Sequence, residues 1–330
     1  MRYLSTGLFL ATCAVLCACA PLAQREQLSQ RQWELVATTL ESDGTADALV
    51  AAALVRRVTL ADSAGAMADL DRALQLVPEQ PDAAWLALNF CNDTPDCSRA
   101  QRGAQLRALD PRNAAASYAA LTDARSNADE MAEDVALATM ADAAYFDLYW
   151  SRLLTRTADA LAQPRGPAQR PLRELPLASI EITGWLAAVA IPPFSATGSS
   201  CKDDRLKRDD VVAWCRKLAE VLANGDTYIA QMVGLGIAAR VWTPGSPELA
   251  RFQQRKREYS YVQKQTQQYN DMAHLTAEEA GRMIDRYRAN RNEHDVYRAW
   301  LIELGIPPDP PADWRSEYDT PPTARRIAIQ

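Results

Sequence analysis

The sequence is poor in the residues on which the commonest enzyme sites depend. Only two of its 330 residues are histidines, His274 and His294. It has no H-E-x-x-H pattern, which would indicate a zinc hydrolase, and no G-x-S-x-G turn, which would indicate an activated serine. Its seven cysteines never take the C-x-x-C spacing of a structural zinc site. We therefore expect a protein that is not an enzyme and that holds no metal or cofactor.

The chain also lacks the alternating β-branched runs that predict strands. Apolar residues instead recur at intervals of three and four from Trp33 to Leu121, which is the spacing of helices that bury one face. Gly234-Leu235-Gly236 resembles part of a dinucleotide-binding loop, but no strand precedes it, so close helix packing is the better interpretation. The sequence predicts an all-α fold.

The N-terminal segment has the layout of an export signal. Arg2 is its single basic residue, an apolar core follows from Leu4 to Leu16, and small residues end it. The apolar core is shorter than the roughly 20 residues that a membrane-spanning helix needs. We predict that residues 1–18 are a signal peptide.

The end of this segment, Leu16-Cys17-Ala18-Cys19, resembles the lipobox of bacterial lipoproteins, with leucine three residues before the cysteine and alanine next to it. Cys17 stands where that family usually has a small or hydroxyl residue. The resemblance implies cleavage before Cys19 and a thioether-linked diacylglycerol on its sulfur, which palmitate labels. Each buried CH₂ of such chains contributes about 0.8 kcal/mol, so several acyl chains anchor a protein stably.

The residue after the cysteine bears on the final membrane. In well-studied lipoproteins an aspartate there keeps the protein in the inner membrane, whereas this chain has Ala20. The resemblance therefore implies an outer-membrane lipoprotein that faces the periplasm. The alternative is plain secretion after cleavage behind Ala20, which would leave Pro21 at a position that hinders ordinary signal peptidase.

The charge balance argues against nucleic acid as a partner. The chain has 36 lysines and arginines against 42 aspartates and glutamates, a formal net charge of −6. Loss of the signal removes Arg2 and no acid, which makes the mature chain more negative. Nucleic-acid affinity comes mainly from basic side chains that neutralise phosphates. We expect a protein or peptide of the bacterial envelope as the partner.

Cysteine usage fits an oxidising compartment. Once Cys19 carries lipid and the signal is removed, the mature chain keeps an even number of cysteines for disulfides, which three pairings could join. Proximity favours Cys91 with Cys97 and Cys201 with Cys215. Thr94-Pro95 is predicted to start a helix, so the first bridge would pin the turn between two helices. In the chain-entropy model a loop of about 15 residues, the size that the second bridge closes, gives on the order of 3 kcal/mol.

An internal repeat is visible in the first helical stretch. Leu76 to Gln80, followed by Trp85, matches Leu109 to Asn113, followed by Tyr118. The step from Pro78 to Pro111 is about 33 residues, which is typical of helical-hairpin repeats.

These residues resemble the tetratricopeptide repeat. The first copy places residues where that family has the small and large side chains of its second helix and its closing proline, namely Ala66, Leu70, Ala73, Leu74, Leu76 and Pro78. The second copy keeps only its Leu109-Asp110-Pro111 ending, since Arg99, Gly103 and Arg107 occupy comparable helix positions. The resemblance implies a solenoid of helical hairpins that bury their faces against neighbours. The alternative is an unrelated alanine-rich helical bundle.

Prolines divide the mature chain into regions. A tetratricopeptide-like helical region, 19–162, leads to a Pro-rich connection, 163–176. A second helical region, 177–305, precedes a Pro-rich tail, 306–330, which is either a surface strap or a flexible end.

Local patterns in the second region predict further details. Residues 248–272 form a long polar helix, and Thr276-Ala277-Glu278-Glu279 is a capping box. Cys215 falls on the buried stripe of its helix. Four basic residues beside it are expected on a solvated face: Lys202, Arg205, Lys207 and Arg208.

The leading functional hypothesis is a membrane-anchored scaffold or interaction protein, whose helical surface engages a protein or peptide at the periplasmic side. One alternative is a periplasmic immunity or inhibitor lipoprotein that neutralises an envelope-targeting toxin. Another is a cryptic hydrolase. A pocket lined by Asp, Glu or His side chains from several helices would favour that alternative.

Overall fold

The computed structural model describes residues 30–163, 178–268 and 276–316; the side chains of 178–181 and 277 are not described. These residues form fifteen α-helices and three short 3-10 segments, with no strand among them. The fold is all-α, as predicted. The predicted signal peptide 1–18, Cys19, nearly all of the Pro-rich connection and the tail beyond residue 316 lie outside the described residues.

Eight helices make up the first region. They are α1 (30–43), α2 (Ala46–Thr59), α3 (Ser63–Leu76), α4 (Pro81–Phe90), α5 (Arg99–Leu109), α6 (Tyr118–Ser126), α7 (Glu130–Ala141) and α8 (Trp150–Ala162). Polar side chains cap several of these helices by accepting a backbone N–H, among them Thr45, Asp62, Ser98 and Asp129. Such caps satisfy amide groups that have no partner within the helix.

Successive helices of this region pack as pairs: α2 with α3, α4 with α5, and α6 with α7. The two prolines of the sequence repeat, Pro78 and Pro111, each follow the second helix of a pair. Leu70 and Ala73 of α3 are fully buried, whereas Leu76 is 57% exposed. Packed helix pairs therefore recur, but α8 returns to pack against α2, and an open repeat solenoid is not confirmed.

Seven helices follow in the second region. They are α9 (Ala178–Val189), α10 (Ser195–Ser200), α11 (Asp209–Ala223), α12 (Tyr228–Val241), α13 (Pro247–Gln267), α14 (Ala277–Ala289) and α15 (Glu293–Glu303). The capping box of Thr276 with Glu279 is present at the start of α14. The long polar helix α13 ends at Gln267 rather than near the predicted Met272, which itself lies outside the described residues.

The two helical regions share one hydrophobic core. Helix α9 packs against α2, α4, α8 and α14, while α11 packs against α7. The main buried cluster runs from Val36 in α1 to Val296 in α15. None of the described helices is both long and apolar enough to cross a membrane.

Both disulfides join the cysteines that proximity favours. Cys91 and Cys97 have Cα atoms 5.3 Å apart, and those of Cys201 and Cys215 are 5.7 Å apart. The first bridge closes the turn between α4 and α5, as predicted. The helix start predicted at Thr94-Pro95 is wrong, because Thr94 donates its hydroxyl to the Phe90 carbonyl and α5 begins only after the cap Ser98.

The second bridge ties the end of α10 to α11, where Cys215 is fully buried as predicted. Of the four basic residues beside it, Lys202, Lys207 and Arg208 are exposed as predicted, whereas Arg205 is half-buried. Arg205 and Arg208 pair with Asp134 of α7 at 2.6 and 2.7 Å, so they link the two helical regions. Lys207 is exposed, as predicted, and its partner there is the exposed Asp204.

The beginning of the Pro-rich tail lies on the surface as a strap. Arg298 pairs with Asp309, and the Trp314 ring packs edge-on against Tyr261 with ring centroids 5.4 Å apart. The Arg257 guanidinium also donates to the Trp314 carbonyl. Of the two expectations for the tail, the strap therefore holds for residues 306–316.

Candidate functional site

A short irregular stretch of the chain crosses the face formed by α4 and α6. Helix α9 ends at Val189, because Pro192 and Pro193 cannot continue its hydrogen bonding. The residues that follow, up to the start of α10, run from α4 toward α6 and α7. We call residues 190–194 the inner strap.

Two aromatic side chains hold the inner strap by its backbone. The indole Nε1 of Trp85, in α4, donates to the Ala190 carbonyl at 3.1 Å. The hydroxyl of Tyr118, at the start of α6, donates to the Pro193 carbonyl at 2.6 Å. Trp85 and Tyr118 are equivalent residues of the two sequence copies, so successive helix pairs contact one proline-containing segment through matched side chains.

Apolar contacts also hold the inner strap against the helices. The Phe194 ring lies 5.7 Å from the ring of Tyr118 and 5.8 Å from that of Phe146, measured between centroids. Ala190 is fully buried. Burial also raises the pKa of the Tyr118 hydroxyl to about 12, so that hydroxyl stays protonated and acts as a hydrogen-bond donor.

An open groove of about 350 Å³ continues this face beyond the inner strap. Next to the strap its lining is Trp85 and Tyr118 with Pro192 and Pro193. The rest of the lining is largely polar and includes Asn89, Asn92, Arg99, Thr122, Asp123 and Ser126. We call this space the α4–α6 groove.

The polar wall of the α4–α6 groove is partly ordered by internal bonds. Asn89 donates its amide to the Trp85 carbonyl at 2.8 Å, and no bond within the described chain engages its amide oxygen. Arg99 pairs with Asp123 at 2.9 Å and also donates to Asn92. Side-chain amides both donate and accept, which matches the alternating N–H and C=O groups of a peptide backbone.

The first disulfide borders the groove. Asn92 directly follows Cys91, so the bridge to Cys97 fixes the turn from which Asn92 projects. The sequence predicted this bridge but not the groove beside it. The strap contact has no local sequence signal, because it joins a matched pair of aromatic residues to a distant Pro-Pro segment.

The remaining predicted site residues give no second constellation. Cys19 and His274 are outside the described residues, and His294 is buried in an aromatic cluster. No group of three His, Cys, Asp or Glu side chains within residues 30–163, 178–268 and 276–316 could hold a metal ion. Gly234 lies inside α12, where a Cβ would stand 2.4 Å from the Ala223 nitrogen, so its role is close helix packing.

Comparison with known proteins adds no relative on which a family could be based. No family model, no curated protein sequence and no solved structure matches the chain.

Proposed function

We propose that this protein is a lipid-anchored, periplasm-facing lipoprotein whose α4–α6 groove binds an extended, proline-containing segment of another envelope protein. The observation that carries the proposal is the inner strap. The same face already holds a proline-containing segment of the chain itself, through backbone carbonyls that accept from Trp85 and Tyr118.

The chemistry of the strap indicates what the open part of the face would accept. Proline-containing segments remain extended at little entropic cost and keep their carbonyls free to accept hydrogen bonds. Apolar side chains of the ligand would follow the Trp85 and Pro192 side of the groove. Its backbone would meet the amide of Asn89 and the hydroxyl of Thr122 on the polar side.

A membrane address supports the same function. The lipobox-like Leu16-Cys17-Ala18-Cys19 would hold the groove close to the envelope, where partner segments reach a high local concentration. The two disulfides fit an oxidising space such as the periplasm. We propose a binding role without catalysis, because the groove wall carries its one carboxylate, Asp123, in an ion pair with Arg99.

Photocrosslinking in cells tests the groove. A photoreactive amino acid is placed at Ser126, which is exposed at the groove. A second variant carries it at Val135, which is 64% exposed on the apolar face of α7. We expect an adduct from position 126 whose mapped peptide from the partner contains proline, and loss of that adduct when Asn89→Ala and Asn92→Ala are combined.

Each result bears on the proposal. An adduct from position 135 alone would move the binding surface to α7 and overturn the groove assignment. An adduct from position 126 that survives both asparagine substitutions, or that maps to a helical segment of the partner, would do the same. Circular dichroism of the double variant checks that the helices are retained.

A further inference from the structure

A second concave site, which shares no residue with the α4–α6 groove, lies between α8 and α14. The first turns of α8 and the residue Asp147 just before them form one wall, and the end of α14 with the following turn forms the other. The cavity measures about 300 Å³, which is at the lower end of the range for small-molecule sites. We call it the α8–α14 pocket.

Three arginines line this pocket: Arg152, Arg288 and Arg291. Arg288 is neutralised by Asp159 and Asp285. Arg152 and Arg291 have no carboxylate partner anywhere in the described chain, although the protein as a whole is acidic. The Arg152 guanidinium lies 5.4 Å from the centroid of the Tyr149 ring, which places its planar group against an aromatic wall.

The two walls are joined directly, so the pocket exists without a ligand. Ser151 of α8 donates its hydroxyl to the Arg291 carbonyl at 3.2 Å. Arg288 of α14 reaches across to Asp159 of α8. These links hold Arg152 and Arg291 on opposite walls of one cavity.

Hydrogen bonds also fix the residues that lead into α8. Tyr149 has a left-handed backbone, with φ of 60°, which is uncommon for a residue with a side chain. Its N–H donates to Asp147 at 2.6 Å, and its hydroxyl donates to Asp110 at 2.8 Å and accepts from Asn113 at 3.0 Å. Such strained residues persist where surrounding bonds determine them, and they are frequent at binding sites.

Asp147 is the one acidic residue that lines the pocket. It neighbours the buried Asp226, whose carboxyl accepts from the Trp150 N–H at 3.0 Å. Burial, the charge of Asp147 and a hydrogen bond to it raise the pKa of Asp226 well above its usual range. With three arginines against this one acidic lining residue, and with Arg288 already paired, Arg152 and Arg291 leave the pocket with an excess of positive charge.

We propose that the α8–α14 pocket binds a small organic oxyanion, a carboxylate or a phosphate ester, between the guanidinium groups of Arg152 and Arg291. Guanidinium groups match both oxyanions through two parallel hydrogen bonds, and the buried Tyr149 and Tyr287 back the site from within the fold. This site is separate from the α4–α6 groove and does not depend on the peptide-binding function.

Calorimetric titration of the detergent-purified full chain tests the proposal. The probes are citrate for the carboxylate source and inorganic phosphate for the phosphate source, at constant ionic strength with chloride as the balancing anion. We expect saturable binding of at least one probe. Hydrogen bonds to charged groups are strong, so Arg152→Gln and Arg291→Gln should each weaken that binding roughly tenfold or more.

Arg31→Gln is the matched control, since Arg31 is an exposed arginine on α1. It should leave the affinity unchanged. Citrate binding without phosphate binding assigns the site to carboxylates, and the reverse assigns it to phosphates. Absence of saturable binding of either probe at millimolar concentration would overturn the proposal. So would equal weakening by Arg31→Gln, or unchanged binding in the Arg152→Gln Arg291→Gln double variant.

Discussion

His294 lies buried against Tyr259 and Tyr228, whose ring centroids are 4.1 and 6.1 Å from its own. Its Nε2 is buried without a hydrogen-bond partner among the described residues. Burial, with the nearby charges of Arg298 and Arg255, lowers the pKa of His294 to about 3. The folded protein therefore holds this imidazole neutral at any pH well above 3.

This pKa makes stability depend on pH. Between pH 3 and about 6.5 the unfolded chain binds a proton at His294 and the folded chain does not, so stability rises with pH across that window. His294→Phe removes the effect and keeps an aromatic ring in the cluster. In urea unfolding at pH 4.5, the variant should be more stable than the wild type by on the order of 2 kcal/mol.

The same pair at pH 7.5 is the control, because both proteins are then uncharged at this position and should differ little. Glu293 acts in the opposite direction: burial raises its pKa to about 6, so its contribution is present at low pH and is lost as the pH rises through 6. That contribution is common to both proteins. Parallel stability curves for wild type and variant would contradict the assignment to His294.

Among the helices, the close contact between α11 and α12 requires a residue without a side chain at position 234. A Cβ on Gly234 would lie 2.4 Å from the Ala223 nitrogen, whereas a Cβ on Gly236 would have no neighbour within 4 Å. Both glycines lie inside α12. They are therefore a matched pair in which only the packing differs.

Alanine substitution should give opposite results at the two positions. Gly234→Ala forces the helices apart and should lower the free energy of unfolding by more than about 2 kcal/mol. Gly236→Ala improves helix propensity without a clash and should raise it by roughly 0.5 to 1 kcal/mol. Denaturant unfolding measures both, and a similar change of either sign at the two sites would refute the packing argument.

The features that the sequence could predict at this scale are those formed by residues close together in the chain. The capping box at Thr276, the buried position of Cys215 and the nearby disulfides are determined by residues within about one to four helical turns, and their patterns are visible locally. The start of α5 was misplaced because Thr94-Pro95 is a good helix start in isolation. The disulfide turn instead delays the helix to Ser98.

The contacts of the inner strap could not be predicted in the same way. Trp85 and Ala190 are 105 positions apart, and nothing in either local pattern indicates the other. A helical-hairpin repeat predicts a face left open for ligands. The chain fills part of that face with α9 and the strap, so the sequence predicted the helix pairs but not how much of their surface remains free.

For the whole molecule, the proposed lipid anchor has the largest consequence for function. Cys19→Ser removes the sulfur that the lipobox resemblance assigns to diacylglycerol. The variant should leave the membrane fraction and lose palmitate labelling, because the acyl chains that would anchor it are no longer attached.

Cys17→Ser is the matched control, since it places a hydroxyl residue where the lipobox family usually has a small or hydroxyl one. It should remain lipidated and in the membrane fraction. Unchanged fractionation of Cys19→Ser would exclude the thioether anchor and favour plain secretion.

The inner strap also has a consequence for biogenesis. If the chain is exported N-terminus first, as the proposed function requires, α2 to α7 emerge well before residues 190–194. Trp85 and Tyr118 then lack the carbonyls of the strap, to which they donate in the folded protein. The early helix pairs therefore stand with an aromatic face uncovered for the time needed to translocate 75 to 105 further residues. A periplasmic chaperone would bind the uncovered face during that interval, until the strap docks.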